Sequence, residues 1–143
     1  MEIRAWEEKD VSVIAEMEKR CFSDAWTEGM LYDSYRLPIY RCFLAEEGGQ
    51  VCGYCILIVL FEDAEVANIA VDIPHRGRGI AKALMEKMHT EARLAGAEKS
   101  LLEVRVSNEN AIKLYEKLGY EGYGKRARYY ADGEDALLMR KEL

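Results

Sequence analysis

At 143 residues the chain has the length of one domain, long enough to bury a full core and too short for two. It is 50% hydrophobic and 32% charged, with 2 prolines and 11 glycines, which excludes a disordered or fibrous chain. The net charge of −6 disfavours direct nucleic-acid binding and suits a basic partner.

The opening MEIRAWEEKD lacks the apolar core of a signal peptide, and the longest apolar run, YCILIVLF, is too short to span a bilayer. The expectation is a cytoplasmic protein with no membrane contact. Its cysteines, Cys21, Cys42, Cys52 and Cys55, need form no disulfides there. Cys52 and Cys55 have C-x-x-C spacing, but they sit inside a strand-like run with no helix following and no second ligand pair. They read as small buried hydrophobes, and no metal is expected.

In chain order, residues 2–6 alternate like a strand, and Asp10 stands as the N-cap of a helix carrying Val11, Ile14, Met17 and Cys21 at helical spacing. Thr27 caps a second, short helix that Pro38 stops. Two strands around the Gly48–Gly49 pair form a hairpin, and EVANIAVD (65–72) is a further strand. A helix with Ile80, Leu84, Met88 and Ala92 on one face runs to Gly96. In the strand EKSLLEVRVS, Leu102, Val104 and Val106 share one side, and Leu101, Glu103 and Arg105 the other. Ser107 or Asn108 caps the helix ending at Gly119, and strands of about 120–129 and 135–142 follow, joined through ADGE. The order β-α-α-β-β-β-α-β-α-β-β makes an α/β fold with a mixed, mostly antiparallel sheet, whose parallel crossovers come from the two later helices.

HRGRGIAKALM, from His75, places Arg76, Gly77, Arg78 and Gly79 directly before a helix. Paired glycines at a helix start let backbone amides approach an anion, but arginines in a solvated turn would look the same. The spacing fits neither a P-loop nor a dinucleotide fingerprint. His75 and His89 read as surface residues.

ANIAVD, RGRGIAKALM and LEVRVSNENAIKLYEKLGY, in that order, resemble the Gcn5-related N-acetyltransferase (GNAT) superfamily over essentially the whole chain, taken as a single domain, 1–143. CFSDAWTEGML and RARYYADGEDALLM further resemble its branch that acetylates the N-terminal alanine of a ribosomal protein. The resemblance implies acetyl-CoA as co-substrate, with its pyrophosphate held by Arg76, Gly77, Arg78, Gly79, Ile80, Ala81 and Lys82. Ala81 stands where many members have glycine. It implies that Ile69, Ala70 and Val71 pair with the pantetheine arm like an added strand, that a neighbouring amide holds the thioester oxygen, and that Asn108 contacts the co-substrate. It also implies Glu103 as general base and Tyr115 as general acid in a direct transfer. Trp26, Tyr129 and Tyr130 would form the lips of a peptide groove for a basic ribosomal protein, and a monomer is expected.

The chemistry asks for such a pair: an α-ammonium with pKa of ~8 must lose a proton and the departing thiolate must gain one. Each residue has a plainer reading from spacing alone, Glu103 as the ion-pair partner of Arg105 and Tyr115 as a core aromatic. A cysteine nucleophile would need a histidine beside it, and His75 and His89 belong to the glycine turn and its helix. Acetylation of a lysine side chain or small amine, and a non-catalytic acyl-CoA-binding subunit, are the alternatives.

Overall fold

Period-2 patterning in the first half of the chain builds an antiparallel meander. In the computed structural model, which describes residues 1–143, strands β1 (Glu2–Ala5), β2 (Tyr40–Glu47), β3 (Gln50–Leu60) and β4 (Asp63–Val71) pair in succession. The β2–β3 turn is made by Gly48 and Gly49 at φ 58° and 78°, a region that side-chain-bearing residues seldom enter. Strands β5 (Lys99–Arg105), β6 (Glu121–Arg126) and β7 (Ala136–Glu142) complete one seven-stranded sheet in the order β1-β2-β3-β4-β5-β7-β6. Every neighbouring pair is antiparallel except β4 and β5.

Two apolar cores lie on opposite faces of this sheet. Helix α1 (Asp10–Cys21) contributes Val11, Ile14, Ala15 and Met17 to one, with Leu31 of α2 (Glu28–Arg36). Helix α3 (Ile80–Leu94) contributes Ile80, Leu84, Met85, Met88 and Ala92 to the other, joined by Tyr115 of α4 (Glu109–Lys117). Thr27 and Asn108 cap their helices as expected, accepting from the amides of Met30 and Ala111. Cys52 and Cys55 are buried among apolar neighbours, and all four cysteines are free thiols.

Several local expectations change. Asp10 is the first helical residue and Lys9 the cap. The Asp10 carboxylate instead binds the Arg4 guanidinium at 2.8 Å and the Glu7 amide at 2.7 Å. Burial pulls that carboxyl upward, but these two donors outweigh it and hold it below the usual range. Val106 lies past the end of β5 and is exposed. The last two strands are shorter than expected, leaving a loop over residues 127–135 rather than a tight hairpin. The crossover through α4 does return to a strand parallel to β5, but β7 is inserted between them. The apolar ALLM of β7 fills the interior position, while the glycine-rich, fully exposed β6 takes the edge.

His89 is not on the surface. It is 5% exposed, with Nε2 at 2.7 Å from the Tyr120 hydroxyl, which also meets Ser100 Oγ at 2.6 Å. Burial, then the positive charges of Lys141 and Arg93, push the imidazole down to about 4. Folding therefore requires a neutral His89, whereas the unfolded chain binds a proton near pH 6.5. Stability should fall as pH drops from about 6.5 to about 4, by at most roughly 3 kcal/mol from this group. Urea unfolding of the wild type across that range should show the slope, and His89→Gln should flatten it.

Candidate active site

β4 and β5 pair only from Asp63–Lys99 to Val66–Leu102, although β4 runs on to Val71 and β5 to Arg105. The other edge of β4 supplies the reason. Ile56 and Leu57 of β3 face Asn68 and Val66, so Ala67 is an extra residue. Such a bulge bends its strand and increases its twist. The two parallel strands part at the bulge, and a cleft of about 630 Å³ opens between them.

The cleft brings together residues far apart in sequence. Glu103 and Arg105 reach it from β5, Asn108 from the cap of α4, Tyr115 from its last turn, Tyr129 and Tyr130 from the 127–135 loop, Trp26 from the α1–α2 connection, and Ile69 from β4. Glu103 does not pair with Arg105. Its carboxylate lies 3.7 Å from Arg126 Nε and is near enough to the Tyr129 phenol to push it, together with burial, up to about 12. Arg105 instead binds Asp132 at 2.8 Å, Glu134 at 3.0 Å and Asp24 at 3.4 Å, with its guanidinium 4.1 Å above the Tyr130 ring. Tyr115 is at once core and cleft. Its ring packs edge-on against Tyr120 and its phenol, raised to about 12 by burial and then by Tyr130, has no protein hydrogen-bond partner.

At one end of the splayed β4 a 3-10 turn (Ile73–His75) leads into the glycine turn. Gly77 and Gly79 both have φ 79°, and a Cβ on either would meet no atom within 4 Å. The backbone amides of residues 77–82 donate to no protein acceptor, and the first helical bond is Ala83 N to Gly79 O at 3.1 Å. A row of free amides at a helix N-terminus, in open space, fits a phosphate. The flanking arginines are less free than expected. Arg78 holds Glu47 through two bonds of 2.8 and 2.9 Å, and Arg76 Nε donates to Val71 O at 2.9 Å. Val71 therefore has a carbonyl already in use, whereas Ala67–Val71 has no strand on its β5 side. Glu47, Cys52 and His75 bring ligand atoms within 4.8 Å of one another, but Arg78 binds two of the three, its Nη1 lying 3.2 Å from His75 Nδ1.

Sequence reasoning missed Glu18, Asp24, Glu65, Asn68 and Arg105 as cleft residues. Glu18 carried a signal: it is four residues after Ile14, on the apolar face of α1, where a carboxylate needs partners. Glu65 faces Glu103, and partial desolvation followed by that negative neighbour raises its carboxyl. Asn68 had no signal, because the bulge that turns it toward α1 has no local signature.

A seven-stranded mixed sheet with one splayed parallel pair, and a row of free amides at the next helix, make the fold of known N-acetyltransferases. The chain belongs to the acetyltransferase (GNAT) family, whose model matches residues 11–120, and it is an N-acetyltransferase. It is 34% identical over 140 residues to the ribosomal protein bS18-alanine N-acetyltransferase of Escherichia coli (strain K12), covering 96% of this chain and 94% of that one. It is 40% identical over 114 residues to an N-alpha-acetyltransferase of Sulfurisphaera tokodaii, covering 71% and 68%. The crystal structure of the Escherichia coli ribosomal-protein-S18-alanine enzyme superposes with a TM-score of 0.91 at 32% identity, covering 99% of this chain and 92% of that one. No helix is long and apolar enough to cross a membrane.

Arg105 ties the 127–135 loop to β5 and to Asp24 on the opposite lip. Its replacement in Arg105→Leu should speed hydrogen exchange at Ser107, whose amide bonds to Glu134, and at residues 128–134 by tenfold or more. Exchange in the β2–β3 hairpin should not change.

Proposed function

We propose that the protein transfers the acetyl group of acetyl-CoA directly to the α-amine of an N-terminal alanine on a basic ribosomal protein. The observation that carries this reading is the single cleft in which Glu103 and Tyr115 converge from a strand and a helix, beside a row of unpartnered amides that fits a pyrophosphate. The likeness to the bS18-alanine enzymes over nearly the full length supports the acceptor. Cleft residues run from Glu18 to Ala131, which supports a single acetyltransferase domain over 1–143.

In this reading the amides of Gly77–Lys82 hold the pyrophosphate of acetyl-CoA, with Arg76 and Lys82 at its rim. The free edge of Ile69 and Ala70, with the Val71 amide, pairs with the pantetheine arm, and Asn108 contacts the co-substrate beyond its capping role. Glu103 takes a proton from the N-terminal ammonium and frees its lone pair. The amine attacks the thioester carbonyl, whose oxygen is held by a β4 amide, and the C–S bond breaks. Tyr115 gives its proton to the departing sulfur, and burial keeps its phenol in the protonated form from which that proton comes. Trp26, Tyr129 and Tyr130 line the groove through which the peptide enters. Acidic side chains at that rim, Asp24, Asp132 and Glu134, suit a basic substrate.

Coenzyme A release measured with a free N-terminal alanine peptide, the same peptide blocked at its N-terminus, and the blocked peptide with an added lysine should occur with the first alone. Release with the lysine peptide alone moves the acceptor to side-chain amines. Glu103→Gln should lower kcat by 10²-fold or more at neutral pH, with acetyl-CoA affinity within twofold by calorimetry. Gly79→Val should do the reverse, raising the acetyl-CoA Kd at least tenfold, because a branched side chain opposes φ 79° and fills the cradle. An unchanged rate in Glu103→Gln across pH removes the base from this residue.

A further inference from the structure

Glu18 is a carboxylate 1% exposed at the floor of the cleft, and the transfer chemistry gives it no task. Three donors from three elements converge on it. Its Oε1 accepts from the Tyr54 hydroxyl of β3 and from Asn68 Nδ2 of β4, the latter at 2.8 Å, and its Oε2 accepts from the Trp26 amide at 2.9 Å. Burial, followed by the Glu18 carboxylate, pushes the Tyr54 phenol upward, so Tyr54 remains a donor.

This arrangement dictates which way Asn68 points. A carboxylate that receives donors on both oxygens can accept only the NH2 end of the amide, so Oδ1 is turned away from Glu18. No protein donor reaches Oδ1, since the one side-chain bond Asn68 makes is through Nδ2. The residue lines the cleft, directly after the bulge at Ala67 and directly before Ile69, where the unpaired edge of β4 runs on. Through Glu18 it is joined to Trp26, one lip of the same cleft. An acceptor oxygen with no partner thus sits between the lip and the splayed edge of β4. The ligand chemistry that satisfies it is an N–H or O–H donor, and an ammonium is the strongest of these.

We propose that Asn68 Oδ1 binds the N-terminal ammonium of the acceptor peptide, and that Glu18 is the positioning residue that holds the Asn68 amide in the receptive orientation. The inference rests on the α-amine reading above and adds its binding group. One N–H of the ammonium donates to Oδ1 while another remains for Glu103. The same Glu18 bond to the Trp26 amide sets the lip over the bound terminus, so amine and peptide are registered by one buried carboxylate. Asn68 is here a binding group, and it takes no proton.

The experiment is steady-state kinetics with acetyl-CoA and a free N-terminal alanine peptide for the wild type, Asn68→Ala, Asn68→Val, Glu18→Gln and the double variant Glu18→Gln/Asn68→Ala, with acetyl-CoA affinity by calorimetry and Tm for each. Loss of a hydrogen bond to a charged group predicts a peptide KM raised about tenfold or more in both Asn68 variants, with acetyl-CoA Kd within twofold. Glu18→Gln should raise the peptide KM in the same direction and add nothing further in the Asn68→Ala background. Asn68→Val, close in volume, keeps the test usable should the smaller side chain compromise folding. A peptide KM unchanged in a folded Asn68 variant overturns the binding role, and effects of Glu18→Gln and Asn68→Ala that multiply overturn the positioning role. Wild-type protein that acetylates no α-amine peptide overturns the α-amine reading itself, whereas wild-type turnover with an indifferent Asn68 overturns the present inference alone.

Discussion

One extra residue, Ala67 in β4, governs the geometry of everything around the cleft. A parallel pair in the middle of a sheet would ordinarily be closed by its ladder and covered on both faces. The bulge bends β4 where its pairing with β5 ends, so a central position in the sheet acquires a free backbone edge. Free strand edges on the outside of a protein invite aggregation. This one is internal, bordered by Asn108 and Tyr115 of the α4 segment and by Tyr129 and Tyr130 of the 127–135 loop. The same bend sends Asn68 toward α1 and the strand end toward the glycine turn, so three parts of the proposed site follow from a single insertion.

Around that opening the charged groups divide into those that brace the cleft and those left available within it. Arg105 is consumed in holding Asp24, Asp132, Glu134 and the face of Tyr130, and Arg78 in holding Glu47. The Arg105 pairs form a network that fastens the 127–135 loop, the arrangement in which exposed ion pairs count for more than as single contacts. Glu103, by contrast, keeps only a 3.7 Å approach from Arg126 and the Tyr129 phenol. The Tyr115 hydroxyl and the amides of 77–82 have no partner at all. Unsatisfied polar groups in the cleft, and at the start of the helix that follows its β4 wall, are what a binding site looks like before its ligand arrives.

The cores on the two sheet faces are unequal in polarity. The α1–α2 side buries Glu18 and Ser34 and borders the cleft, while the α3 side is apolar apart from the His89, Tyr120 and Ser100 cluster. Tyr120 stacks edge-on to Tyr115, so the neutral histidine beneath it also stiffens the back of the proposed acid. Stability and site geometry are linked there through packing rather than through charge.

The amino-acid sequence by itself determined the elements and their order. Helical spacing in α1 and α3, the caps Thr27 and Asn108, and the glycines at 48, 49, 77, 79 and 96 are local features, decided by backbone sterics and by which residues can satisfy a helix end. The glycine turn, Glu103 and Tyr115 were legible by resemblance, because they lie in contiguous motifs. Tertiary structure alone decided the partners. Arg105 belongs to residues more than twenty positions away rather than to Glu103 two positions before it, His89 is buried because Tyr120 and Ser100 close over it, and β7 takes the place beside β5 that chain order would have offered β6. Glu18 and Asn68, fifty residues apart, meet because a bulge rotates one toward the other. Local propensity acts over a few residues, whereas charge pairing, burial and strand splay depend on distances that exist only once the chain has folded.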